Sequence, residues 1–259
     1  MTALWRDEQD VDINDLLIAN TSNRFLLDKQ LGMLSADLSD LDMAQLRPAI
    51  HGQMSRARPP EQPLFMKIHD AYLSAAAGWP PPIELKDIHQ VVYLVRDPRD
   101  VALSFARHLR LSVDETIQIM ADPDYYLSFY PKRVGRHFPQ LLSSWSAHVS
   151  SWLDTPGMPV RVFRYEDMVS RPAESFERML EAMDLEYTSE EFEAALRATD
   201  FRVLQEKEQR HGFTEKPVGS HRFFHGGVSR VWETGLTSAQ RARIEQSHGA
   251  VMTRLEYLA

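Results

Sequence analysis

Three short apolar runs rich in β-branched and aromatic residues set the strongest limit on the fold: LFMKIH (Leu64 to His69), QVVYLV (Gln90 to Val95) and VRVFRY (Val160 to Tyr165). Each is short and largely apolar, which reads as a buried strand. Between and after them the period becomes helical. Leu142, Trp145, Val149 and Trp152 share one face of LLSSWSAHVSSWL, and Phe176, Met179, Leu180 and Met183 share one in RPAESFERMLEAMDL, where Pro172 suits a first turn. The closing LTSAQRARIEQSHGAVMTRLEYL carries a stripe of Ile244, His248, Val251 and Leu255, with Thr237 or Ser238 as its cap. Strands alternating with helices predict an α/β fold, a three-layer sandwich around a central parallel sheet, whose ligands bind at the carboxyl ends of the strands.

At 259 residues the chain can bury a sizeable core, and we read 1–259 as a single domain. A net charge of −8 argues against a nucleic-acid partner, because backbone phosphates call for a basic face. Any anionic ligand must then be met locally. The absence of cysteine removes disulfides, thiolate metal sites and a cysteine nucleophile, and fits the reducing cytoplasm. No apolar run approaches the roughly 18 residues that span a bilayer, and MTALWRDEQDVDIND does not have the form of a signal peptide. No membrane partner is expected.

Charge concentrates where the second strand turns into a helix, in YLVRDPRDVALSFARH. Asp97 is placed to cap that helix, Pro98 suits its first position, and Arg96 stands at the strand's carboxyl end. Ser104 lies about two turns on. A guanidinium, a hydroxyl and the amides of a helix start together suit a phosphate. Spacing alone leaves a second reading open, in which Arg96, Asp97, Arg99 and Asp100 pair with one another.

The segment also strongly resembles the 3′-phosphate-binding segment of sulfotransferases that use 3′-phosphoadenosine 5′-phosphosulfate (PAPS). FMKIHDAY is similar to that family's Lys-x-His strand end, and VFRYEDM to its Tyr-Glu-Asp segment. The three occur in the family's order, and the likeness extends over nearly the whole chain. It implies a P-loop nucleotide-hydrolase-like sulfotransferase fold, with Arg96 and Ser104 on the 3′-phosphate and Tyr165 by the adenine. It implies His69 as general base and Lys67 as a positive charge near the transferred group, without a metal. Glu166 and Asp167 are read as capping the adjoining turn. Tyr125, Tyr126, Phe129 and Tyr130 either line an acceptor site or pack a loop. His211, His221 and His225 do not make a convincing metal site, since HRFFHGG ends in glycines that disfavour a helix.

Two departures from the family pattern stand out. The phosphosulfate loop, Pro-Lys-Ser-Gly-Thr-Thr-Trp or close to it, does not occur in this sequence. Val11 to Leu16 reads VDINDL, a segment that comes after the first helix in bacterial relatives, so MTALW looks like the interior of that helix and about 20 residues are expected upstream. True loss of the loop is the rival explanation. Near the C-terminus, FFHGGVSRVWETG keeps Gly227 and Trp232, but His225 and Gly226 stand where the family carries a basic pair before its glycine. Arg222 or Arg230 is the candidate substitute. The expected function is sulfuryl transfer from PAPS to a hydroxyl or amine of a small-molecule acceptor. The alternatives are an inactive binding protein of the same fold and another phosphate-handling enzyme, such as a small-molecule kinase, for which Asp70 would be the magnesium ligand.

Overall fold

The computed structural model describes residues 11–16, 18–59, 62–72, 80–130, 134–216 and 221–258. In chain order the elements are β1 (Ile18–Asn20), α1 (Arg24–Leu31), α2 (Asp40–Arg56), β2 (Phe65–Lys67), β3 (Val91–Val95), α3 (Pro98–Leu109), α4 (Val113–Ala121), β4 (Tyr126–Leu127), β5 (Gln140–Leu141), α5 (Trp145–Leu153), β6 (Val160–Arg164), α6 (Tyr165–Ser170), α7 (Pro172–Ala182), α8 (Ser189–Ala198), α9 (Phe201–His211), α10 (Trp232–Gly235) and α11 (Ser238–Arg254). The three predicted strands form as β2, β3 and β6. Among the described residues strands pair in twos rather than in one continuous sheet: β1 with β2, β3 with β6, and β4 with β5. The first pair is parallel with Asn20 opposite Lys67, and the last antiparallel with Leu127 opposite Gln140. The class is mixed α/β. The expectation that MTALW is helical lies outside the described residues.

Local chemistry explains the helix starts. Asp97 caps α3 and Pro98 occupies its first position, while Thr237 caps α11 in a reciprocal box with Gln240. Pro172 opens α7, as its sequence implies. The helix at LLSSWSAHVSSWL begins at Trp145 rather than Leu142, because Ser143 takes φ +59° and Ser144 is the residue that caps α5. None of the described helices is long and apolar enough to cross a membrane.

The chain divides into two compact units, the first drawing its described residues from 1–17, 94–96 and 162–233, the second from 18–93, 97–161 and 234–259. In the second, Leu27, Met43, Ile50 and Phe138 form a buried cluster with Leu31, Leu38 and Met54 against it. Each such side chain contributes roughly 1.5–3 kcal/mol. α11 lays its buried Ile244, His248 and Met252 toward α3, α4 and α5. In the first unit an irregular segment is tied to α9. Buried Glu208 accepts the amides of Phe223 and Phe224 at 2.6 and 3.0 Å, and Gln205 donates to the Phe224 carbonyl at 2.9 Å. Residues 221–229 are not helical, so the spacing of His221 and His225 does not place them on a common helix face.

Candidate active site

The β3–α3 junction separates its charges in a way that spacing could not resolve. Arg99 turns inward, where it is 6% exposed, and bonds both oxygens of Asp97. It also donates to Glu245 at 2.9 Å and to the Tyr257 carbonyl at 2.9 Å. Mutual pairing therefore holds for Arg99 and Asp97. One expectation is corrected: the amides at the helix start do not await an anion. Those of Asp100 and Val101 donate to the Asp97 carbonyl at 3.0 and 2.9 Å, that of Arg99 donates to the Asp97 carboxylate at 2.9 Å, and Pro98 has none. Ser104 sits on α3 in the second unit, its hydroxyl donating to the Val101 carbonyl at 3.1 Å.

Arg96 takes another course within the first unit. Its guanidinium lies over the Tyr165 ring, 4.3 Å from the centroid, and Nη2 donates to the Val228 carbonyl at 3.0 Å. Tyr165, read as a strand end, is the first residue of α6. Gly227 precedes that carbonyl at φ +59° with the Phe201 ring against it, where a Cβ would come within 2.7 Å of the ring. Glycine is required there on both counts. Arg230 pairs with Glu233, Nε to Oε1 at 2.7 Å, and Arg222 lies exposed on the same segment. Glu166 and Asp167 do not cap α6, whose cap makes no side-chain bond; Asp167 instead pairs with Arg171 at 2.9 Å. As first-turn acids they still suit the helix dipole.

Lys67 ends β2 in the second unit, and His69 lies two residues beyond the strand. The Lys67 carbonyl accepts from the Thr21 amide and hydroxyl, each at 3.2 Å, which holds the strand end. His69 Nδ1 lies 2.9 Å from Oε1 of Gln140, a residue 2% exposed on β5. An amide oxygen only accepts, so this contact is a hydrogen bond in the tautomer that carries its hydrogen on Nδ1. The backbone is fixed as well. His148 Nε2 donates to the His69 carbonyl at 3.0 Å, and its Nδ1 accepts from the Tyr93 hydroxyl at 2.7 Å. Burial pushes the His148 imidazolium down, which suits a ring that needs one hydrogen and one lone pair. His108 on α3 is also lowered, first by desolvation and then by the charges of His69 and Lys67. Asp70 is not disposed as a magnesium ligand: both its oxygens are engaged by buried Arg47, at 3.2 and 3.0 Å. Among the expected aromatics, Tyr126 lies on β4, Tyr125 meets Phe105 edge to face at 6.2 Å, and Phe129 and Tyr130 are exposed.

β1, its turn and α1 have the strand-turn-helix form of a phosphate cradle, and β1 is parallel to β2. The turn amides are nevertheless occupied. Ser22 donates to Asn20 Oδ1, Asn23 to the Asn20 carbonyl, Arg24 to the Arg136 carbonyl and Leu26 to Asn23 Oδ1. This turn does not stand in for the missing loop.

Arg96, Lys67 and His69 stand at positions that the sequence marks, whereas Gln140, His148, Tyr93 and His108 carry no such mark. Gln140 stands in FPQLLSS, where nothing periodic marks it. His148 looks like a polar position on an amphipathic helix.

The chain is a mixed α/β protein, with a lysine at the end of β2 and, separately, an arginine stacked on a tyrosine just after β3. The chain is a member of the sulfotransferase family: the profile described as "Sulfotransferase domain" matches residues 32–256. Dog sulfotransferase 1A1 is 26% identical over 168 residues, 63% of this chain and 55% of the relative, and its bovine counterpart is 24% identical over the same shares. The chain thus spans about half the length of these curated relatives. Its fold is similar to that of mouse sulfotransferase SULT7A1 complexed with PAP, with a TM-score of 0.56 at 16% identity over 94% of this chain and 86% of that one. It is also similar to retinol dehydratase in complex with androsterone and inactive cofactor PAP, with a TM-score of 0.54 at 20% identity over 83% and 62%.

Proposed function

We propose that the protein transfers a sulfuryl group from PAPS to a hydroxyl or amine of a small-molecule acceptor in the cytoplasm. His69 Nε2 takes the acceptor's proton as the acceptor oxygen or nitrogen bonds to sulfur, and the sulfur–oxygen bond to the 5′-phosphate breaks to leave 3′-phosphoadenosine 5′-phosphate (PAP). Lys67 places positive charge by the oxygens of the group in transit. Arg96 and Ser104 hold the 3′-phosphate, Tyr165 meets the adenosine, and Arg222, Gly227 and Arg230 supply the remaining contacts of the irregular segment. The chemistry needs no metal, since the base and the cation are both side chains. Androsterone and retinol, found with retinol dehydratase, define a sensible first pair of acceptor alcohols to test.

The observation that carries this reading is the His69–Gln140 contact, which leaves a proton-accepting nitrogen two residues from a lysine. The kinase alternative loses its support with Asp70 engaged by Arg47. An inactive binder of the same fold draws support from His225 and Gly226 at the family's basic positions. Titration of PAP into the chain, with Arg96→Ala as control, and then assay of labelled sulfate transfer from PAPS, separates the readings. Binding that depends on Arg96 together with transfer supports the enzyme. Binding without transfer supports the inactive binder, and no binding removes both.

A further inference from the structure

We infer that Gln140 is the positioning residue that selects the proton-accepting tautomer of His69. The inference rests on the reading of His69 as general base and deepens it. A neutral imidazole has one hydrogen and can put it on either nitrogen; only the form with Nδ1–H leaves a lone pair on Nε2. Gln140 Oε1, at 2.9 Å from Nδ1, accepts that hydrogen and stabilises this form over the other.

The fold holds both partners rigidly enough for the choice to persist. Gln140 is 2% exposed and sits on β5 opposite Leu127 of β4. The next residue fixes β5 to the chain just beyond the histidine, because the Ala71 amide donates to the Leu141 carbonyl at 2.7 Å. From the other side, His148 Nε2 grips the His69 carbonyl and Tyr93 grips His148. Trp152 Nε1 donates to the carbonyl of Asp70 at 3.0 Å, and the Asp70 carboxylate is paired with Arg47. Residues 69–71 are therefore secured at successive positions by β5, α5 and α2. Within that frame the Gln140 contact restrains rotation of the ring about its side-chain torsions.

An uncharged acceptor also differs from a carboxylate in its consequence. A carboxylate at this position would stabilise the imidazolium and delay its return to the neutral base. Gln140 orients the ring without adding charge to a locality that already contains Lys67, His108, His148 and the Asp70–Arg47 pair.

The test reads the ring directly and does not depend on turnover. Nitrogen-15 correlation spectra of the full chain at neutral pH, with His69 assigned by its loss in His69→Asn, report which ring nitrogen carries the hydrogen. The expected result is Nδ1–H in the native protein, a shift toward Nε2–H in Gln140→Met, and retention of Nδ1–H in Gln140→Glu. In transfer assays Gln140→Met lowers kcat about tenfold with KM nearly unchanged, as expected for a misoriented base. Gln140→Glu recovers the tautomer and moves the acidic limb of the pH profile upward by about one unit, since a carboxylate beside an imidazolium favours the charged form. Nε2–H in the native protein, or a tautomer indifferent to Gln140→Met, overturns the inference. If His69→Asn retains transfer activity, the base assignment fails and takes the positioning role with it; unchanged Nδ1–H spectra would identify that as the cause.

Discussion

Arg96 and Arg99 stand three positions apart in one charged run, yet burial gives them separate tasks. Arg99 is enclosed with a carboxylate on its fork and serves the fold. Arg96 presents a flat face to Tyr165 and one edge to a carbonyl, an arrangement that a lysine cannot copy because it lacks the planar fork. Replacing Arg96 by alanine is expected to weaken PAP binding by about 10- to 100-fold, the worth of a charge-assisted hydrogen bond or two. Arg96→Lys should fall between, and its residual affinity should decline more steeply with salt. Calorimetric titration at two ionic strengths checks both; equal affinities for all three proteins would remove Arg96 from the nucleotide site. The sequence identified the residue because arginine after a strand and before Asp-Pro is a pattern. It could not separate Arg96 from Arg99, because depth of burial is not written in spacing.

At the scale of the element, the start of α3 and the segment after α9 show two ways of holding backbone in place. Asp97 caps the helix and neutralises a buried arginine, so Asp97→Ala removes both contributions. We expect a loss of about 3–5 kcal/mol, read as a lower urea midpoint at unchanged m, and a smaller loss for Asp97→Asn, which keeps the cap. A loss below about 1 kcal/mol for the alanine variant would mean that Glu245 and the Tyr257 carbonyl suffice for Arg99. The segment from Phe223 to Arg230 has no ladder of its own and depends on Glu208, on edge-to-face phenylalanines and on the turn at Gly227. Gly227→Ala must place a methyl against the Phe201 ring at a positive φ. It should weaken PAP binding through displacement of the segment while costing stability only about 1–2 kcal/mol. Unaltered affinity would separate the segment from the nucleotide site. Helix starts were legible because capping is local chemistry. The two-residue strands β4 and β5 were not, since a pairing that short leaves no periodic trace.

Across the whole molecule, buried imidazoles set the response to acid. Burial lowers the His51 pKa to about 4, with its Nδ1 held by the Pro82 carbonyl at 2.7 Å, and burial likewise lowers that of His248 to about 4. In the unfolded chain both titrate near 6.5, so between these values the unfolded state binds more protons than the folded one. Their stabilising contribution is complete above the unfolded value and is lost as pH falls toward 4, with His51 alone worth on the order of 3 kcal/mol. Thermal melts should therefore show Tm dropping between about pH 6.5 and pH 4. The capping-box acids Asp42, Glu115 and Glu191 have lowered values and lose their contribution further into acid, below the ordinary carboxylate range. A Tm that stays flat down to about pH 5 would show that these histidines are solvated in solution. What the sequence determined by itself was the α/β class, the caps at Asp97 and Thr237 and the placing of Lys67, His69 and Arg96 at or just beyond strand ends, because apolar period, capping and strand termination act over a few neighbouring residues. Tertiary structure alone decided which arginine is buried, that the α3 amides are already occupied, and that Gln140, 71 positions from His69, supplies the ring's acceptor. Those outcomes depend on groups distant in the chain meeting at hydrogen-bond distance, and no local pattern encodes such a meeting.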